Sequence, residues 1–109
     1  LEHIGLNVYG GAHITNGDQL AINNIYASLK TGGKLLLTVP ASVKANFTPT
    51  WRSYDYLSLR KLLKKLKKTN YKFGIRDENQ QWRIVDKIPK DHPFDPNMPS
   101  GVALIEAIK

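Results

Sequence analysis

The chain alternates between stretches with helical spacing of apolar residues and short apolar runs suited to strands. Ile22, Ile25, Tyr26 and Leu29 fall on one helical face, so the pattern predicts a helix from Asp18 to about Leu29, capped by Asp18 and stopped by Gly32 and Gly33. Lys34 to Val39 then predicts a strand ended by Pro40. Its unbroken Leu35-Leu36-Leu37 centre predicts burial on both faces, as in the middle of a parallel sheet. Ala41 to Ser53 has no clear period and reads as a loop over the sheet edge. A second helix follows, capped by Ser53 or Asp55 and ending near Lys68, with Leu59, Leu62, Leu63 and Leu66 inward. Tyr71 to Arg76 alternates as a half-buried strand does, and Gln81 to Val85 continues it or pairs with it across the Asp77-Glu78-Asn79 turn. Pro89, Pro93, Pro96 and Pro99 exclude regular structure between Lys87 and Ser100, and Val102 to Ile108 reads as a last strand.

At the front, Leu1 to Leu6 ends a strand or begins the loop after it, and the segment up to Gly17 carries the Gly10-Gly11 pair, suited to a flexible site rim or a plain turn. The order is strand end, helix, strand, helix, strand, irregular excursion, strand. Strands separated by helices predict parallel crossovers, whereas the last two have no helix between them and suit antiparallel pairing. The expectation is half of a doubly wound α/β fold in one partial domain over residues 1–109. Its parts are a strand end and site loop (1–17), a helix and strand (18–40), a loop and basic helix (41–68), and terminal strands with the proline-rich excursion (69–109).

With 109 residues there is room for one domain. The longest apolar runs are far shorter than the ~20 residues a spanning helix needs, and the chain has no cysteine. These features fit a cytoplasmic setting. The formal charge of +7 raises the question of an anionic partner. Arg60, Lys61, Lys64, Lys65, Lys67 and Lys68 crowd into the second helix, where the first reading is a solvated cationic face over a leucine-lined inner face. The alternative is that the face spanning Lys64 to Lys68 meets phosphate or another anionic surface.

Two segments resemble a known family. Ile25-Tyr26-Ala27-Ser28-Leu29-Lys30-Thr31-Gly32-Gly33 leading into Lys34-Leu35-Leu36-Leu37-Thr38-Val39-Pro40 is similar to the helix-to-fifth-strand junction of class I S-adenosylmethionine-dependent methyltransferases, with Thr31 where proline is usual. Leu1-Glu2-His3-Ile4 resembles the step after the fourth strand in small-molecule members, and Leu1 to Leu6 with Tyr9-Gly10 looks like a branch associated with surface polysaccharide genes. The resemblance implies the C-terminal half of a Rossmann-like sheet, ordered 4-5-7-6 with the family's seventh strand antiparallel. It also implies S-adenosylmethionine as cofactor of an intact parent, a small-molecule or sugar-like methyl acceptor, and a fragment that on its own is inactive. The family holds its cofactor mainly through a glycine-rich turn after strand one and an acidic residue after strand two, and neither occurs here. Gly32-Gly33 follows a helix and precedes a strand, the reverse of the order that turn requires.

Ligands of open α/β sheets gather beyond the carboxyl ends of the strands, which singles out His3. It is either a hydrogen-bonding structural histidine or a general base for an acceptor hydroxyl. Glu2 either orients it or lies on the opposite face, and Leu1, Glu2 and His3 are the implied partial cofactor contacts. Tyr9, Gly10, Gly11 and His13 are candidates for the acceptor side, with Trp51, Arg52 and Tyr54 as a second wall. An aromatic pair beside a guanidinium can hold a sugar or an anion, and Trp51 and Tyr54 equally suit a hydrophobic lid. Trp82 and His92 read as structural residues of the far strands. No metal site is expected, since His3, His13 and Asp18 match no ligand spacing. A half-sheet would leave an open strand-four edge, through which a homodimer is expected; a membrane is not an expected partner, and nucleic acid is a weaker candidate. The competing function is a non-catalytic binding or assembly module that uses the basic helix.

Overall fold

The computed structural model describes residues 1–109 as an α/β domain: a four-stranded sheet, a two-stranded ribbon and two helices. Helix α1 spans Gly17–Ser28 and α2 Tyr56–Leu62. The sheet contains β1 (Lys34–Ala41), β4 (Lys67–Arg76), β5 (Trp82–Val85) and β6 (Gly101–Ile108), and the ribbon contains β2 (Asn46–Phe47) and β3 (Arg52–Ser53). No helix is long and apolar enough to cross a membrane.

The sheet order is β1-β6-β4-β5, and every neighbouring pair is antiparallel. The expected parallel neighbours are therefore absent. β6 is inserted between β1 and β4 and runs against both, so β1 and β4 point the same way without touching. The hairpin between β4 and β5 closes through Asp77, whose carboxylate accepts from the backbone N–H groups of Asn79 and Gln81, both at 2.9 Å. Asp, whose side chain mimics a backbone acceptor, is suited to that position.

Both helices lie on one face of the sheet, and this decides the core. Leu35 and Val39 of β1, Phe73 and Ile75 of β4, and Ala103, Ile105 and Ala107 of β6 are buried with Ile22 of α1 and with Leu59, Leu62, Leu63 and Leu66. Alternate residues point to opposite faces of a strand, so Leu36, between two inward neighbours, is 71% exposed. The expectation that Leu35-Leu36-Leu37 is covered on both sides fails for that reason.

Three boundaries differ from expectation. β1 runs through Pro40 to Ala41 because Pro40 faces the outer edge, where its missing N–H is not needed and its carbonyl accepts from Tyr54 N at 3.0 Å. Helix α2 stops at Leu62, since Leu63 to Lys65 form a turn and Lys67 already begins β4. Lys68 takes φ +47 at a register shift. The cationic run is therefore split between a short helix, a turn and a strand start. The Asp55–Ser58 capping box fixes the other end of α2, with Ser58 N donating to the Asp55 carboxylate at 2.8 Å.

Leu1 to Leu6 contributes no strand. The segment coils through two turns, with Gly5 at φ +77 and one isolated bridge between Leu6 and His13. A Cβ on Gly5 would fall 2.5 Å from Ile14 O, and one on Gly17 2.7 Å from Ile4 O, so these two glycines let the coil lie directly on the start of α1. The edge expected at the fourth strand consequently falls on β1, which with β5 is one of the sheet's two edge strands. Its final residues are covered, since Ser42 N also donates to Tyr54 O at 3.0 Å.

Candidate functional site

At the end of the sheet where β1 and β4 finish, the opening coil, the start of α1 and the β2–β3 ribbon meet. Arg52 joins them. Its guanidinium is buried and donates to Ile4 O at 2.8 Å and Leu1 O at 3.3 Å, while its Nε lies 3.7 Å from the Asp18 carboxylate. Tyr54, 1% exposed, donates its hydroxyl to the same carboxylate at 2.9 Å. Burial, and next the negative charge of Asp18, push the Tyr54 phenol well above its ordinary range, so it stays a neutral donor. Beneath them Ser42 and Ser53 pair through their hydroxyls at 2.6 Å, and Ser42 also accepts from Ser100 N at 3.2 Å.

Asp18 is thus not the helix cap. Asn16 occupies that position at φ 56 without a side-chain cap bond, and Asp18 sits in the first turn, turned toward Arg52 and Tyr54. The α1 amino end, which favours negative charge, supports its carboxylate there. This role is invisible in the sequence, where an acid ahead of an apolar helical pattern is most simply a cap.

On this braced platform stands His3. Its Nδ1 lies 2.7 Å from Thr50 O, and its ring meets Tyr9 edge to face at 5.1 Å between centroids. A carbonyl only accepts, so Nδ1 must carry the proton and a neutral ring keeps its lone pair on Nε2. That is the arrangement a general base needs. We expect long-range proton–nitrogen NMR correlations to show the Nδ1–H tautomer for the neutral ring; an Nε2–H tautomer would dismiss this orientation. Glu2 does not hold the imidazole. The ring's Nδ1 is taken by Thr50 O instead.

The structure therefore brings His3 and Tyr9 together and places the carbonyl of Thr50, a residue with no sequence signal, against His3. Tyr9 is 89% exposed, Gly10 has open space around it, and Gly11 and His13 lie exposed along the same rim. Trp51 is half-buried beside them. Arg52 and Tyr54 are engaged inside the fold, whereas His3, Tyr9 and the glycine rim face outward.

A separate open cavity of about 980 Å³ lies between the β4–β5 turn and the proline-rich excursion, lined in part by Arg76, Asp77, Arg83, His92, Phe94 and Met98. His92 therefore belongs to the excursion and not to a strand, and Trp82, on β5, is 58% exposed beneath the Arg76 guanidinium at 5.1 Å. No three His, Cys, Asp or Glu side chains converge as metal ligands would.

Comparison with family models, curated proteins and solved structures found no match to this chain.

Proposed function

We propose that the chain is the acceptor-side part of a class I S-adenosylmethionine-dependent methyltransferase domain with a Rossmann-like sheet, acting in the cytoplasm on a small-molecule or sugar-like hydroxyl or amine. The observation that carries this reading is the order β1-β6-β4, with β6 antiparallel to both neighbours and α2 connecting β1 to β4. It matches the 5-7-6 order implied by the junction from Leu29 to Pro40. His3 supports it as well, because with Nδ1 held by Thr50 O its neutral ring keeps a lone pair on Nε2 that can receive the acceptor's proton at the end of the sheet where the family's ligands gather.

In methyl transfer the sulfonium cofactor supplies the electrophilic carbon. The part left to these residues is to align the acceptor against the Tyr9–Gly11 rim and to take its proton on His3. Leu1, Glu2 and His3 are the positions this reading assigns to partial cofactor contact. The test is calorimetric titration of S-adenosylmethionine into the 109 residues and into the natural product of the gene. Binding by the natural product with none by the 109 residues is expected. A folded natural product that fails to bind, or tight binding by the 109 residues, sinks the reading.

A further inference from the structure

At the end of the molecule opposite His3, seven positions from separate chain segments carry lysine. Lys34 begins β1 and Lys67 begins β4, and both stand opposite Ile108 of β6 in register. Lys109 follows Ile108, Lys30 follows α1, and Lys64, Lys65 and Lys68 surround the turn from α2 into β4. The ammonium groups of Lys109 and Lys65 lie 4.6 and 6.0 Å from the Tyr26 ring centre, and Lys109 also caps α1 by donating to Tyr26 O and Leu29 O, each at 2.8 Å. Sheet and helix layers thus end in one basic surface.

A single acidic residue shares this end. Glu106 is already paired with Lys34 at 3.2 Å, which leaves Lys30, Lys64, Lys65, Lys67 and Lys68 exposed and without a carboxylate partner. Seven lysines against one glutamate give a formal charge of +6 there, against +7 for the whole chain. Such concentration costs self-repulsion that an anionic partner would relieve.

We propose that this lysine end docks the protein on an anionic phospholipid surface. The chemistry of the patch selects that partner. Its charges are compact ammonium groups, while the guanidinium groups lie outside it, Arg60 over the Tyr56 ring on α2 and Arg52 buried at the other end. It offers no free stacking platform either, because Tyr26 is half-buried under two ammonium groups and the exposed Tyr9, Phe47, Trp82 and Phe94 belong to other parts of the surface. The lysines spread over the ends of two layers, with no helix or ribbon projecting to enter a nucleic-acid groove. A cluster of point charges at one end of the molecule complements a surface of phosphate headgroups, and it directs the His3 end away from the membrane. Attachment is peripheral and electrostatic.

Co-sedimentation with phosphatidylcholine vesicles, with and without phosphatidylserine, tests the proposal. Binding is expected only with phosphatidylserine, each engaged lysine contributing roughly fivefold in affinity, and it should weaken as salt rises. Lys64→Glu, Lys67→Glu and Lys68→Glu together should weaken it by roughly a hundredfold or more. Lys44→Glu, Arg83→Glu and Lys90→Glu, with the same change in net charge away from this end, should retain most of it. No binding to phosphatidylserine vesicles at low salt overturns the proposal, as does equal loss in the two triple variants. Ready displacement from vesicles by duplex DNA at equal phosphate also overturns it, in favour of nucleic acid. The wild-type salt titration decides the matter even if a triple variant does not fold, because salt-independent binding is incompatible with this surface.

Discussion

Replacing Arg52 with leucine is expected to destabilise the domain by about 3 kcal/mol, the scale of removing one partner from a buried charged network. The substitution leaves Ile4 O without its donor, leaves Leu1 O with only the Ile4 N–H, and leaves the Asp18 carboxylate with only Tyr54 and the neighbouring Gln19 N–H. Nothing else in the fold brings a donor to those two carbonyls from the ribbon side. Because the same guanidinium ties the opening coil to β3, the His3–Thr50 contact should loosen with it, which the His3 NMR signals would report as averaging. Arg52→Lys keeps the charge but not the fork and should fall between the two proteins. Urea denaturation of the three chains measures the series. A loss below about 1 kcal/mol for Arg52→Leu would mean that the coil is held by its glycine contacts alone.

Phe73→Ala should cost about 4 kcal/mol, while Leu36→Ala should change stability by no more than about 0.5 kcal/mol. Phe73 is 1% exposed and is flanked in the sheet by the fully buried Ala103 on one side and Val85 on the other, so its truncation opens a cavity inside the packed core. Leu36 is equally apolar but stands on the face without helices. Thermal or chemical denaturation of both variants gives the comparison. Equal losses would restore the two-sided burial that the leucine run suggested and would contradict the one-sided layering.

The contrast shows what apolar composition leaves undecided. Leu35-Leu36-Leu37 identifies a strand, but whether one or both faces are covered depends on where α1 and α2 pack, a long-range property. The leucines from Leu59 to Leu66 were legible because their spacing selects one inward side whether the chain forms a full helix or a helix followed by a turn. The exact point where helix gives way to strand was not legible, since it depends on the register shift of β4 against β6. The β4–β5 hairpin could be read from Asp77 and the alternation on either side of it, because both signals are local.

The site divides in the same way. His3, Tyr9 and Gly10–Gly11 stand out by residue type, and the fold does gather His3 and Tyr9. Thr50 could not have been found, because it acts through a backbone carbonyl that any residue supplies. Arg52 and Tyr54 were conspicuous as surface chemistry, yet they lie inside, joined to Asp18 from a distant helix start.

By itself the sequence determined the two helices and the four strands of the sheet in their order along the chain, since apolar spacing, glycine stops and proline positions act over a few residues, but the β2–β3 ribbon reads in it as a plain loop. Only the tertiary structure decided that β6 enters between β1 and β4, that Leu1 to Leu6 coils instead of pairing, that His3 rests on Thr50, and that lysines from four chain segments form one end. Those outcomes depend on which distant segments become neighbours, and the hydrogen bonds and charge relations that result exist only once the layers have packed.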